Sequence, residues 1–475
     1  MEVWRTLRRE DYEHLPGDHS RPGSPDKPIR VRRRRRLLLF AQKTCSVRRF
    51  VLGLASLPIL LVLVLLCAGL PPDYSEIRAY ERALPQHNLS LPYPGGRNGH
   101  YLRFTDRLWG HGLNNILQEV ILHSHLAYAA NRSYVFEDYE WSRTPVPWTI
   151  YDFALRPKRI PLNAFIAGPT AGAPYSATAA APRAISAEWW DIVCPPSRRH
   201  TLTSEGAPHG PEIEGAVIME WWVKKLGEYD QYSCVEITSP LPIFDKYLFG
   251  TANMLSLWPQ LAASPILTAY SWSPLVHSAV TRNFALLRPT DPAQLSDHAA
   301  PASLTGLVAI HLRRGDYSRH CPHLARWGAS YMGLNQFPAL PDRFAPPPAA
   351  TPGDTPSAET AAYYRAHCYP SIAQIVARLH AVREAHPTLT RVYALSNGWP
   401  RFLGELRAAL AADGWADTIT RVHLDAEQAY VGMAVDMAVA EKAEVFVGNG
   451  FSSLSANVVM LRMAKGADSR TNHFL

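Results

Sequence analysis

No Cys-x-x-Cys pair occurs in these 475 residues, and there are only six cysteines. That spacing excludes the common cysteine-based metal sites. Charge of one sign is missing where nucleic-acid binding would need it. The formal net charge of +7 belongs to residues 1–49, with 14 Lys+Arg against 6 Asp+Glu. The remaining residues balance at 34 against 35, so the body offers no electrostatic footprint for nucleic acid. The 40 prolines are many and predict long irregular connections. The length exceeds what one hydrophobic core organises and predicts two or more domains.

One apolar run is long enough to cross a bilayer. Phe50–Leu70 holds no charged residue, and about 20 apolar residues span as a helix. A cleaved signal peptide has a shorter apolar region nearer the N-terminus. Arg32–Arg36, Arg48 and Arg49 precede the run and Pro71-Pro72-Asp73 follows it. The positive-inside rule then predicts a single-pass type II anchor, with the body across the membrane. Residues 1–49 are expected to be a disordered, basic cytosolic tail, and 71–100 a proline-rich stem. In an oxidising lumen the four body cysteines would form two disulfides, and sequence neighbours give Cys194–Cys234 and Cys321–Cys368 among three pairings. Asn88 and Asn131 head glycosylation triplets, Asn131 close to an expected buried strand.

The body reads as alternating strands and helices. Tyr101–Phe104 is strand-like, and Gly110-His111-Gly112-Leu113-Asn114-Asn115 is a turn before a helix reaching about Ala130. Tyr134–Phe136 is the next strand. Residues 159–186 read as a long loop, and Asp291–Ala302 as the link between a domain at 101–300 and one at 301–475. The second half opens with Leu307–Leu312, an apolar strand ending in His311-Leu312-Arg313-Arg314-Gly315-Asp316. Ligands bind parallel sheets at the carboxyl ends of strands, and the arginine fork suits phosphate. Cys321–Glu359 reads as a surface insertion. Strands are expected at Arg391–Ser396, Val422–Leu424 and Val445–Val447, with helices between them and a last helix reaching about Lys465. The serine cluster at Ser452, Ser453 and Ser455 falls between strand and helix, where free N–H groups hold phosphates. N-capping by Ser452 or Ser453 explains the same residues. The tryptophan pairs Trp189-Trp190 and Trp221-Trp222 fit a core better than a groove.

Three motifs now stand in order: Gly112-Leu113-Asn114-Asn115, His311-Leu312-Arg313-Arg314-Gly315-Asp316, and Asp436 through Gly448-Asn449-Gly450-Phe451-Ser452-Ser453-Leu454-Ser455 to Arg462. This set resembles the GDP-fucose protein O-fucosyltransferase superfamily, which includes the α1,6-fucosyltransferases. The resemblance implies a GT-B-like α/β fold of two Rossmann-like domains behind the anchor. It implies fucose transfer from GDP-fucose, with inversion, to a protein or glycan hydroxyl, in the Golgi or endoplasmic reticulum. By the same resemblance Arg313 grips the β-phosphate. Asn114, His311, Asp436, Ser452, Ser453 and Ser455 bind the nucleotide-sugar. No metal or other cofactor is expected, since the chain has no Asp-x-Asp and arginine would take the metal's role. Where some relatives carry a glutamate base this chain has His111, a candidate base near neutral pH.

Two other readings stay open. One is a nucleotide-sugar-binding membrane protein without transfer activity. The other is a nicotinamide-dependent oxidoreductase using Gly110-x-Gly112, which lacks the third glycine of the dinucleotide fingerprint but has Glu137 at the end of the next strand.

Overall fold

The computed structural model describes residues 32–151, 154–175, 181–210, 212–239, 242–287, 303–347 and 355–475. The expected tail to residue 31 and the link at 291–302 lie outside them. The chain forms two units, Met1–Ala68 and Gly69–Leu475. In the first, a helix runs over Arg32–Cys67, so residues 32–49 are helical rather than disordered. Its Val47–Cys67 stretch is long and apolar enough to cross a membrane.

The second unit holds two parallel sheets. Its first half supplies strands β1 (Tyr101–Phe104), β2 (Ser133–Phe136), β3 (Tyr139–Glu140), β4 (Trp148–Tyr151) and β5 (Ala154–Pro157). It adds β6 (Arg159–Ile160), β7 (Ile185–Ser186), β8 (Arg199–Thr203) and β9 (Cys234–Thr238). The second half supplies β10 (Leu304–Leu312), β11 (Arg391–Ser396), β12 (Asp417–Ile419), β13 (Ala443–Gly448) and β14 (Asn472–Phe474). The sheet orders are β7-β2-β1-β9-β8 and β12-β11-β10-β13-β14, every pairing in them parallel. β3–β6 and β4–β5 are short antiparallel ribbons at the edge of the first sheet's loops. The α/β architecture with two Rossmann-like sheets is thus the one expected. Both central strands, β1 and β10, are flanked by later strands on either side, so each sheet has a switch point at its middle. Crevices open there, outside the carboxyl ends.

Several connections are more ordered than their composition suggested. The expected stem carries a helix at Ser75–Arg82 and buries Tyr74, Leu84 and Gln86. Arg78 pairs with Asp138 at 2.9 Å, and the Tyr74 hydroxyl donates to the Glu427 carbonyl at 3.1 Å. Residues 159–186, expected as a loop, contribute β6, β7 and a buried set from Leu162 to Ala171. The expected insertion, Cys321–Glu359, begins inside a helix at Tyr317–Trp327 and buries Tyr331, Leu334, Phe337 and Leu340. Its aromatic residues anchor it to the core, which composition alone hid. Val422–Leu424 is not a strand, because the His423 backbone is taken by the Asn283 side chain at 2.7 and 2.8 Å. The strand lies earlier, at β12.

The two halves share one core. The Pro274–Arg282 helix precedes the expected boundary at 300 but packs on the Gly432–Lys442 helix. Arg282 donates to Gln428 at 2.8 Å and to Asp425 at 2.9 Å. The last helix, Ser453–Ala464, crosses back onto the Leu113–Ala129 helix. The chain therefore changes allegiance upstream of the place its composition marks. Disulfides join Cys194 to Cys234 and Cys321 to Cys368, the neighbour pairing. Trp190 and Trp222 are fully buried, core residues as expected, and Asn131 is exposed but lies two residues before the buried strand β2, as expected.

Candidate active site

β10 is buried along its apolar length because both faces are covered, which is why it reads as a continuous hydrophobic run. Its end carries His311, whose Nδ1 lies 2.9 Å from Ser455 Oγ. That oxygen also accepts the Asn449 N–H at 2.9 Å. The hydroxyl has a second lone pair and its own proton, so the direction of its bond with Nδ1 follows the His311 tautomer. Burial, aided by the Arg313 charge, pushes the imidazole down to about 3, so it is uncharged at neutral pH. His311 and Ser455 thus come from opposite sides of the switch point, from β10 and from the first turn of the helix after β13.

Two arginines follow, and the structure separates them. Arg314 is buried, donates to the Pro370 carbonyl at 2.6 Å, and packs on the Tyr369 and Phe402 rings at 4.5 and 4.1 Å. It holds the turn. Arg313 lies over the Tyr317 ring at 4.8 Å, with Nη2 2.5 Å from Asp316 Oδ2. Its Nε is buried with no partner among the described residues. Asn397 pins the turn from the next strand's end, accepting the Arg314 N–H at 2.7 Å and donating to Asp316 at 3.2 Å.

The last helix begins at this crevice. Ser452 stands at its N-cap position, but no side chain caps it, so the capping explanation of the serines is not the one realised. Ser453 follows in the first turn and Ser455 is spent on His311. The helix N-terminus keeps amide donors and a positive dipole end for an anion. Gly450 fits tightly here: a Cβ would overlap the Tyr331 ring.

The first motif reaches the same helix. Asn457 Nδ2 donates to both the carbonyl and the Oδ1 of Asn114, at 2.9 and 3.0 Å, and Asn114 Nδ2 meets the Met433 sulfur at 3.0 Å. Gly110 sits in the left-handed region at φ 67° and turns the chain between β1 and the helix. Glu119, protonated by burial to a value of about 8, accepts the Leu108 N–H and holds that loop. His111 is exposed, its Nδ1 2.8 Å from the Trp109 carbonyl. A carbonyl only accepts, so the proton sits on Nδ1 and a neutral ring presents the Nε2 lone pair outward.

Asp436 faces β11, taking the Tyr393 hydroxyl at 2.5 Å, and burial pushes its carboxyl up to about 6. No hydrogen bond or ion pair joins Asp436 to His311, Arg313 or the serines. Glu137, the acid a dinucleotide fingerprint would need, is bound by Arg103 and Arg107 at 3.0 and 2.9 Å and is not free for a ribose. Sequence reading missed Asn449, Asn457, Asn397 and Tyr317. The glycines around Asn449 were its signal; the others gave none, because their partners are distant in sequence. Among the described residues no His/Cys/Asp/Glu group is arranged to hold a metal ion.

Residues 267–465 match the family model "GDP-fucose protein O-fucosyltransferase". No curated protein matches the chain in sequence. The crystal structure of POFUT1 in complex with GDP-fucose aligns over 79% of this chain and 98% of its own, at 17% identity and a TM-score of 0.48. That of NodZ α-1,6-fucosyltransferase soaked with GDP-fucose aligns over 76% and 92%, at 11% identity and a TM-score of 0.35. The crevice of β10 and β13 lies inside the matched residues, so the part of the chain that builds it is the part similar to that family.

Proposed function

We propose that the chain is a membrane-anchored fucosyltransferase, taking GDP-fucose as donor and a protein or glycan hydroxyl as acceptor. The observation that carries this reading is the meeting of His311, Ser455 and Asn114–Asn457 around one helix N-terminus, with the Arg313 guanidinium beside it. In an inverting transfer the acceptor oxygen bonds to the sugar carbon as the bond from that carbon to the diphosphate oxygen breaks. The leaving diphosphate gains negative charge. Arg313 and the amides of the last helix supply donors where that charge grows, and no metal is required for the step. Ser452 and Ser453 add hydroxyls, and His311, Asn114 and Asp436 complete the donor site. The acceptor proton goes to Nε2 of His111, the outward lone pair.

The Val47–Cys67 helix would anchor the protein in the Golgi or endoplasmic reticulum, type II, with the body in the lumen. Two disulfides in the body fit that compartment. Full-length protein in detergent tests the reading. GDP-fucose is expected to raise its melting temperature, and NADH is not. Stabilisation by NADH alone would overturn it, and GDP-fucose binding without turnover on any peptide or glycan acceptor would leave a binding protein in place of an enzyme.

A further inference from the structure

Beside His111 lies an open polar cleft that the donor site does not use. Arg103, Arg107, Arg143, Lys158 and Arg159 line it, with Glu137 and Glu140. Five cations against two carboxylates leave an excess of three positive charges. The carboxylates are already shared: Glu137 serves Arg103 and Arg107, and Glu140 serves Arg143 at 3.4 Å and Arg159 at 2.7 Å. Lys158 donates to the Thr144 carbonyl at 2.7 Å and has no carboxylate within ion-pair distance among the described residues. Arg143 and Arg159 keep about half of their side chains in solvent, so their remaining N–H groups are accessible.

Two hydrogen bonds tie this cleft to the candidate base. The Gly110 N–H donates to the Glu140 carbonyl at 3.0 Å, and the Tyr139 hydroxyl to the His111 carbonyl at 3.0 Å. Trp109, exposed, lies under the Arg143 guanidinium at 4.5 Å. A molecule filling the cleft therefore lies next to the turn that carries His111.

We infer that the cleft is the acceptor side of the transferase and selects an acidic polypeptide segment. The inference rests on the fucosyl-transfer reading. The cations come from β1, from the loop after it, from the residues after β3, from the β5–β6 connection and from β6. Five cations around two shared carboxylates leave more donors than one phosphate uses, and several carboxylates on one chain can take them. An extended peptide presents alternate side chains on one side about 7 Å apart and so can bring more than one carboxylate to the cleft. Arginine forks pair with carboxylates through two parallel hydrogen bonds.

The test uses full-length protein in detergent and fluorescein-labelled peptides carrying one serine flanked by glutamates, by glutamines or by lysines. Anisotropy measures binding in the presence of GDP, and an oligogalacturonate of matching charge is the competing probe. The glutamate peptide is expected to bind roughly tenfold more tightly than the glutamine peptide, with the gap closing as salt rises. The charge reversals Arg143→Glu with Lys158→Glu are expected to erase the gap, and Lys158→Ala alone to narrow it without a change in melting temperature. Equal binding of the three peptides, tighter binding of oligogalacturonate, or a gap that survives in the folded double variant would each overturn the inference. Failure of the donor reading shows separately, as the absence of a GDP-fucose melting shift.

Discussion

Arg313→Ala removes the guanidinium at the turn after β10, the proposed diphosphate grip. In the free protein that group spends one N–H on Asp316, at 2.5 Å, and both side chains are partly exposed. Such a pair contributes about 0–1 kcal/mol, so losing it changes stability little. Two hydrogen bonds from the guanidinium to a diphosphate contribute roughly 1.5–3 kcal/mol each. Sharing the group with Asp316, and the side-chain ordering required, offset part of this, leaving about 2–4 kcal/mol. At 1.4 kcal/mol per factor of ten, GDP affinity should fall by roughly 30- to 700-fold. The variant also leaves Asp316 facing the diphosphate unneutralised, which pushes the loss toward the larger figure. Arg314→Ala is the contrast. It loses a buried bond to Pro370 and two ring contacts, which lowers stability by about 3 kcal/mol while the residual folded protein keeps most of its GDP affinity. Isothermal titration with GDP, alongside thermal melts of full-length protein, separates the two effects. An Arg313→Ala protein that binds GDP within about threefold of wild type would refute the assignment of the phosphate-gripping role. So would a folded Arg314→Ala protein that loses more affinity than Arg313→Ala.

Three further outcomes are expected. Ser455→Ala leaves the Asn449 N–H unpaired and unties His311, costing about 2–3 kcal/mol; thermal melts should drop and GDP affinity with them, and an unchanged melt would show that the His311 network is not structural. Asp436 has a folded pKa raised from 3.8 to about 6, so the stability its neutral form provides is complete below 3.8 and lost as pH rises through about 6. Asp436→Asn should therefore melt higher than wild type at pH 7.5 and the same below pH 4, while binding GDP more weakly if the carboxylate meets the nucleotide; equal melts at pH 7.5 would show that the carboxylate is not held at a cost. Cys321→Ser with Cys368→Ser opens a loop of 47 residues between the Tyr317–Trp327 and Ala358–Cys368 helices, worth about 4 kcal/mol of chain entropy; reductant should lower the wild-type melt and leave the double variant unmoved, and a double variant still sensitive to reductant would assign the effect to Cys194–Cys234.

What the sequence determined by itself was local. The apolar run ending at His311, the glycine turn before the Leu113–Ala129 helix and the Pro400–Ala412 helix follow from periodicity and turn chemistry within a short window. The apolar anchor helix and the serine-bearing turn after β13 were legible for the same reason. Packing decided the rest. Nothing in the sequence distinguishes Arg313 from Arg314; the rings of Tyr369 and Phe402, 55 and 88 residues further on, claim one of them and leave the other at the crevice. The prolines and alanines of residues 159–186 and the insertion after Cys321 look like loop until buried aromatic residues tie them to the core. Asn114 and Asn457 are 343 residues apart, and only the return of the last helix onto the first half brings them to bonding distance. Side chains that bond across such separations leave no periodic trace, because the contact is made by the sheets' topology rather than by neighbouring residues. The basic cleft beside His111 is of this kind: its cations are dispersed over residues 103–159 of a body with almost no net charge, and the fold alone gathers them on one side.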